Sequence, residues 1–250
     1  MLRSCNFYSV LLEYFQLEVT PINSVQSFWD GFDFTYILSI LLGVIPSLLC
    51  ITLHELSHGL VAYKLGDDTA KSRGRLSLNP LKHLDPVGLL MMLVFHVGWA
   101  KPVPVNMYKF KNPKRGMAVT ALAGPLSNLI IAVVFMLIYG AAFIPLNMSS
   151  VGRYFLQMIQ LTAVLSIGLG IFNILPIPPL DGSKVLFSLL RDEDYYKLMR
   201  YERYGGIIMI ILVATGVLGR PLNYLIDLVY SWLVPLAQLA CDGVMYLFYM

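Results

Sequence analysis

The chain has 250 residues, 57% of them hydrophobic and 13% charged, with a mean hydropathy of +0.68. A soluble domain carries nearer a quarter of charged residues, so this composition excludes an ordinary water-soluble globular protein. Net charge is +3, but the basic residues are segregated in a way that suits a lipid bilayer and speaks against nucleic acid as a partner.

Residues 1–31 lack the basic-then-apolar layout of a cleaved signal and are expected to form a segment on the membrane surface. Residues 34–53 carry no charge, which matches the length of a membrane span. They lead straight into His54-Glu55-Leu56-Ser57-His58. On a helix, histidines four apart share one face, so both imidazoles reach a single zinc ion. Glu55 stands close enough to take a proton from a water on that ion. The bland alternative is a core helix whose histidines bond their neighbours. At membrane depth that is hard to satisfy for two histidines and a carboxylate together, so the motif reads as a metal site.

Residues 64–115 hold ten of the eighteen Lys and Arg, and residues 184–203 hold five more. By the positive-inside rule both stretches are cytoplasmic. The first span then enters from outside, a second over residues 116–145 leaves, and a third over 154–176 returns. Residues 146–152 alone join the last two on the far side, too few for an extracytoplasmic domain. Residues 73–79 alternate apolar with polar and end in Asn-Pro, a pattern that suits either an edge hairpin or a plain loop. Residues 87–99 form an apolar run too short to span, expected as a re-entrant element or a short packed helix.

A catalytic zinc takes three protein ligands and keeps one position open. Asp181 is the best-placed acid for the third. It follows Pro176, Pro178 and Pro179, which cannot continue a helix, and precedes Gly182, which permits a sharp turn. An ordinary helix exit with Asp181 as an N-cap is the competing reading. His83, His96, Asp85 and Asp227 are the other acids and histidines in reach, each expected to be a hydrogen-bonding residue rather than a ligand. Residues 204–219 would span only with their flanks. Residues 221–250, with two acids and no base, suit a further span or a helix lying against the others. Cys5, Cys50 and Cys241 have no motif spacing, which excludes a disulfide framework or a thiolate zinc site.

Several blocks stand in order along residues 53–218: the H-E-L-S-H helix; Gly74-Arg75-Leu76-Ser77-Leu78-Asn79-Pro80 with His83-Leu84-Asp85-Pro86-Val87-Gly88; residues 98–106; Ala123-Gly124-Pro125-Leu126-Ser127-Asn128; and Asn173 through Gly182. Together they resemble the site-2 protease family of intramembrane zinc metalloproteases, closest to its compact bacterial and archaeal members. The resemblance implies an all-α polytopic membrane protein with a three-span catalytic core, a small re-entrant β-hairpin and additional helices. Residues 1–31 would be the surface segment, 32–203 the membrane-embedded metalloprotease core, and 204–250 C-terminal membrane helices. One Zn²⁺ per chain is implied on His54, His58 and Asp181, with Glu55 as general base and Asn173 holding the substrate strand or polarising its carbonyl. Residues 73–79 are tipped toward a re-entrant sheet. No PDZ insertion fits between the second and third spans, which leaves room for a separate substrate-presenting partner.

The expected function is therefore hydrolysis of peptide bonds within or near the transmembrane segment of a single-span membrane protein. The expected location is the cell membrane, with the site toward the cytoplasmic side. A membrane zinc transporter or metal sensor is the rival class. It calls for a second span bearing ligands, where this sequence offers only Asp181. A catalytically idle scaffold predicts decay of Glu55 or Asp181, and both are present.

Overall fold

In the computed structural model, residues 34–86, 88, 100–201 and 204–249 are described. The expected surface segment, His96 and most of the run 87–99 lie outside the described residues. Helix α1, Phe34–Lys64, carries Pro46 and both histidines of the motif. It extends ten residues past His54, about 15 Å at 1.5 Å per residue. The motif therefore lies inside a spanning helix, beginning ten residues before its end. The helix stops where Gly66 takes φ +107°, and the Asp67 N–H reaches back to the Ala62 carbonyl (2.9 Å) as Gly66 N–H does to Tyr63 (3.1 Å). Only a glycine adopts that left-handed turn without strain.

The connection to the next long helix is a clamped loop. It contains the short helix α2, Thr69–Ser72, and two 3₁₀ turns, Pro80–Lys82 and Met107–Lys109. Asn79 and Asn106 cap those turns through their side chains. The buried Asp67 carboxylate accepts N–H bonds from Thr69 (3.0 Å) and Asn106 (2.6 Å), tying the loop's two ends together. Of the expected hairpin, the described residues form one antiparallel bridge, Leu84 to Ala100. Residues 73–79 form no ladder. Their partners are local or come from elsewhere in the loop, as when Ser77 O accepts from the His83 ring (2.9 Å).

Asn112 caps helix α3, Pro113–Asn147, with Pro113 in its first turn, where the missing N–H costs nothing. Ser149 caps α4, Ser150–Ile174, after the short turn expected at that point. The prolines after Ile174 end α4, and short helices α5 (Asp181–Ser188), α6 (Asp192–Tyr201) and α7 (Gly205–Ala214) follow. Helix α8, Gly219–Tyr249, closes the chain.

Among the described residues four helices are long and apolar enough to cross a membrane: Leu42–Lys64, Pro113–Asn147, Ser150–Ile174 and Gly219–Phe248. The protein is an all-α polytopic membrane protein. Helix α3 is central and packs on α1, α4 and α8. Met136, Tyr139, Ile167, Val234 and Ala237 fill the core between α3, α4 and α8. Gly140 has no side chain because the Ala237 backbone of α8 occupies that space. At the opposite end, Lys114 pairs with Asp192 (2.9 Å) and also bonds the Leu190 carbonyl. The two basic stretches of the sequence thus meet at one end of the bundle.

Candidate metal centre

Helical periodicity puts His54 and His58 on the face of α1 that meets α3. Asp181 arrives from the other side as the first residue of α5, behind a cis Pro178–Pro179 bond. The Leu180 N–H bonds the Ile177 carbonyl (2.9 Å), closing the turn that presents the carboxylate. Gly182 follows because a Cβ there would collide with the Ile174 carbonyl at the end of α4.

The three side chains are buried, at 4%, 8% and 9% exposure. Asp181 Oδ2 lies 3.2 Å from His54 Nε2 and 3.1 Å from His58 Nε2, and the two nitrogens are 3.1 Å apart. Ligands at zinc distances of 2.0–2.1 Å in a tetrahedron stand roughly 3.3 Å from one another. The triangle observed is within a few tenths of an ångström of that, so the donor set fits a tetrahedral metal. Burial works to raise the Asp181 pKa, but the His54 and His58 imidazoles against it, with Lys184 nearby (3.7 Å), hold its carboxyl below the usual carboxylate range.

Helix α3 supplies the backing. The Thr120 carbonyl lies 2.7 Å from His58 Nδ1, and Asn128 Nδ2 lies 3.1 Å from His54 Nδ1. Between them, Gly124 exposes bare backbone to both rings. Glu55 is half-buried on the same α1 turn, and its Oε2 accepts the Val103 N–H (2.8 Å). Arg75 fixes the segment next to Val103 by donating to the carbonyls of Lys101 (2.7 Å) and Pro102 (3.3 Å). A cavity of about 290 Å³ opens beside Glu55 and His54, with walls that include Val44, Ile51, Leu169, Phe172 and Asn173. The Asn173 amide donates to the Leu169 carbonyl (2.9 Å) in the same helix.

The structure thus brings His54, His58 and Asp181 into one cluster and puts Glu55 and Asn173 on one cavity beside it. His83 is buried and hydrogen-bonded, Asp85 accepts the Gly88 N–H (3.0 Å), and Asp227 is exposed on α8. None of these three joins the cluster. Thr120, Gly124, Asn128 and Val103 carried no assigned role in the sequence. The signal for Asn128 was present, since a carboxamide in the uncharged run 116–152 needs a partner. Thr120 and Val103 act through backbone atoms, which leave no mark on residue type.

Comparison with known proteins decides the family. The model described as peptidase family M50 matches residues 144–218. YwhC of Bacillus subtilis, named as a zinc metalloprotease, is 43% identical over 178 residues, covering 69% of this chain and 80% of that protein. The chain belongs to peptidase family M50. Rip2 of Mycolicibacterium smegmatis is 31% identical over 201 residues, covering 78% of this chain and 74% of the relative. A relative from Methanocaldococcus jannaschii is 34% identical over 161 residues, 62% and 76% of the two chains. Both also carry zinc metalloprotease names. No solved structure matches. Membership makes this chain a metalloprotease, and the His54, His58 and Asp181 cluster is where a metal fits among the described residues.

Proposed function

We propose that the protein is an intramembrane zinc metalloprotease that hydrolyses peptide bonds within or near the transmembrane segment of a single-span membrane protein. The observation that carries this reading is the convergence of three ligand-type atoms, with Asp181 brought from α5 against two histidines of a helix long and apolar enough to span a bilayer. His54, His58 and Asp181 hold one Zn²⁺. When bound, the metal polarises a peptide carbonyl and acidifies a water. Glu55 is the general base and returns the proton to the leaving nitrogen. The Val103 N–H orients the carboxylate by engaging one oxygen, Oε2, and leaves Oε1 for proton transfer.

Asn173 is placed to turn from its own helix toward the cavity. There its neutral amide donates to a substrate carbonyl or to the developing oxyanion without adding charge in a low-dielectric site. Backbone groups of a membrane helix are bonded internally and sheltered from water, so the substrate must unwind to reach the cavity, which takes extended chain. The bundle end where the two basic stretches meet is the cytoplasmic end by the positive-inside rule. Scission then occurs on that side, in a multi-pass protein of the cell membrane. A transporter or sensor reading calls for a second ligand cluster, and the described residues hold one.

The test uses purified full-length protein with a reconstituted single-span substrate, measuring bound zinc and cleavage together. His54→Ala and Asp181→Ala are expected to lose both. Glu55→Gln is expected to keep zinc and lose three or more decades of rate. Full zinc retention and activity in Asp181→Ala, or turnover within a few-fold of wild type in Glu55→Gln, contradicts the assignment.

A further inference from the structure

Thr120, Gly124 and Asn128 recur every four residues and so line one face of α3, the face against His54 and His58. The two histidines are held differently by it. His58 Nδ1 meets a backbone carbonyl, which can only accept, so Nδ1 carries the hydrogen and Nε2 keeps its lone pair for a metal. His54 meets a carboxamide, which can do either. In the arrangement observed, Asn128 Nδ2 is the atom at 3.1 Å from His54 Nδ1, which makes Nδ1 the acceptor and puts the ring hydrogen on Nε2, beside Asp181 Oδ2 at 3.2 Å. That tautomer cannot bind a metal through Nε2.

Asn128 is completely buried, and its Oδ1 has no hydrogen-bond partner among the described residues. Among the described residues the bond to His54 is the hydrogen bond that fixes which way the amide points, and a half-turn of the amide exchanges oxygen and nitrogen at almost no change of shape. We infer that Asn128 is a positioning residue that selects the metal-binding tautomer of His54, its carboxamide oxygen accepting from Nδ1–H when zinc is bound. The amide turns with the ring's tautomer. In the other orientation it supports a His54 that donates from Nε2 to Asp181. Thr120 does the same for His58 permanently, so the two histidines are backed from one helix by one fixed and one reversible acceptor. The inference rests on the ligand set proposed above.

Zinc affinity of the full-length protein in detergent, read by competition with a chelator, tests it on Asn128→Leu, Asn128→Ser and Asn128→Asp, with His54→Ala as reference. Removing an outer-shell partner of a metal-binding histidine costs 10–100-fold in affinity. Asn128→Leu and Asn128→Ser are expected to lose that much, the first by offering no acceptor and the second by failing to reach. Asn128→Asp, which offers only acceptors, is expected to stay within a few-fold of wild type. Ring-nitrogen NMR shifts of labelled histidine are expected to move the His54 hydrogen from Nε2 to Nδ1 when zinc is added. Should Asn128→Leu fail to fold, Asn128→Ser, which adds no bulk, carries the comparison. If His54→Ala keeps zinc at full affinity, the ligand set falls. If His54→Ala loses zinc while Asn128→Leu and Asn128→Ser bind within threefold of wild type, the ligand set stands and the role of Asn128 falls. Equal losses in Asn128→Asp and Asn128→Ser, or no change in the His54 shifts, overturn it as well.

Discussion

Gly124→Ala is the smallest change that tests whether helix packing sets the metal site. The added Cβ would lie 2.5 Å from His58 Cε1 and 2.6 Å from His54 Cε1. Ordinary carbon contacts are about 3.5–4.0 Å, so either the rings or α3 must retreat by about 1 Å. Neither can do so freely. His58 is tied to the Thr120 carbonyl and His54 to Asn128, one turn to either side of the new methyl. A misplacement of about 1 Å in a reacting constellation costs about a hundredfold in rate, or about 2.7 kcal/mol of transition-state stabilisation. The helix itself gains, because alanine is favoured over glycine by about 0.8–1.0 kcal/mol in a helix interior. Gly43→Ala is the matched control, with no atom of the described residues within 4 Å of its Cβ and the same propensity gain. Cleavage of a reconstituted substrate, bound zinc and thermal stability are to be measured side by side. The expected outcome is a loss of about two decades in rate and at least tenfold in zinc affinity for Gly124→Ala, with stability unchanged or slightly raised and Gly43→Ala near wild type. A Gly124→Ala protein within threefold of wild type in both readouts refutes the argument that this glycine sets the approach of α3 to the ligands.

Arg75→Ala removes the donor that holds the Lys101 and Pro102 carbonyls, so the Val103 N–H drifts from Glu55; a rate loss of about tenfold with zinc retained is expected, worth about 1.4 kcal/mol. Equal loss of zinc would place Arg75 in support of the fold at large. Gly140→Leu drives a side chain into the α8 backbone at Ala237 and is expected to destabilise by about 1–3 kcal/mol, seen as a lower melting temperature, while the zinc bound by the folded fraction stays at one per chain. Single cysteines at Ser72, Ser149 and Ser188, in a background without Cys5, Cys50 and Cys241, are to be probed on intact cells with an impermeant thiol reagent. Labelling at Ser149→Cys alone is expected, and labelling at Ser72→Cys or Ser188→Cys inverts the topology.

Residue type carried the parts of this molecule that depend on side-chain chemistry. Histidines four apart in an uncharged run, and an aspartate behind three prolines, point to one cluster, and the structure brings the three side chains together. Helix ends were less legible. The end of α1 is set by the left-handed Gly66 and the backbone bonds around it, not by the first charged residue, so the helix runs past the uncharged residues 34–53 to Lys64. The alternation in residues 73–79 suits an edge hairpin or a plain loop and the resemblance tips it toward a sheet, yet among the described residues they bond locally and through Arg75's reach to Lys101. The bridge that does form uses Leu84 and Ala100, whose sequence marks neither. The Val103 N–H and the Thr120 carbonyl were beyond reach because any residue supplies those atoms.

Gly124 and Asn128 stand between these cases, since their types are informative only once the register of α1 on α3 is known. His54 meets Asn128 and His58 meets Thr120, so numbers rise along one helix as they fall along the other, the antiparallel pairing that the alternation of charge-free runs and basic loops implies. The repeat of four on α3 matches the repeat of four between the histidines, and two turns of contact fix the register. A slip of one turn, about 5.4 Å, would set Gly124 against His58 and Ala132 against His54, and bring the Asn128 side chain to the place where Gly124 now gives clearance to both rings. The metal site therefore depends on α3 as much as on the helix that carries the motif.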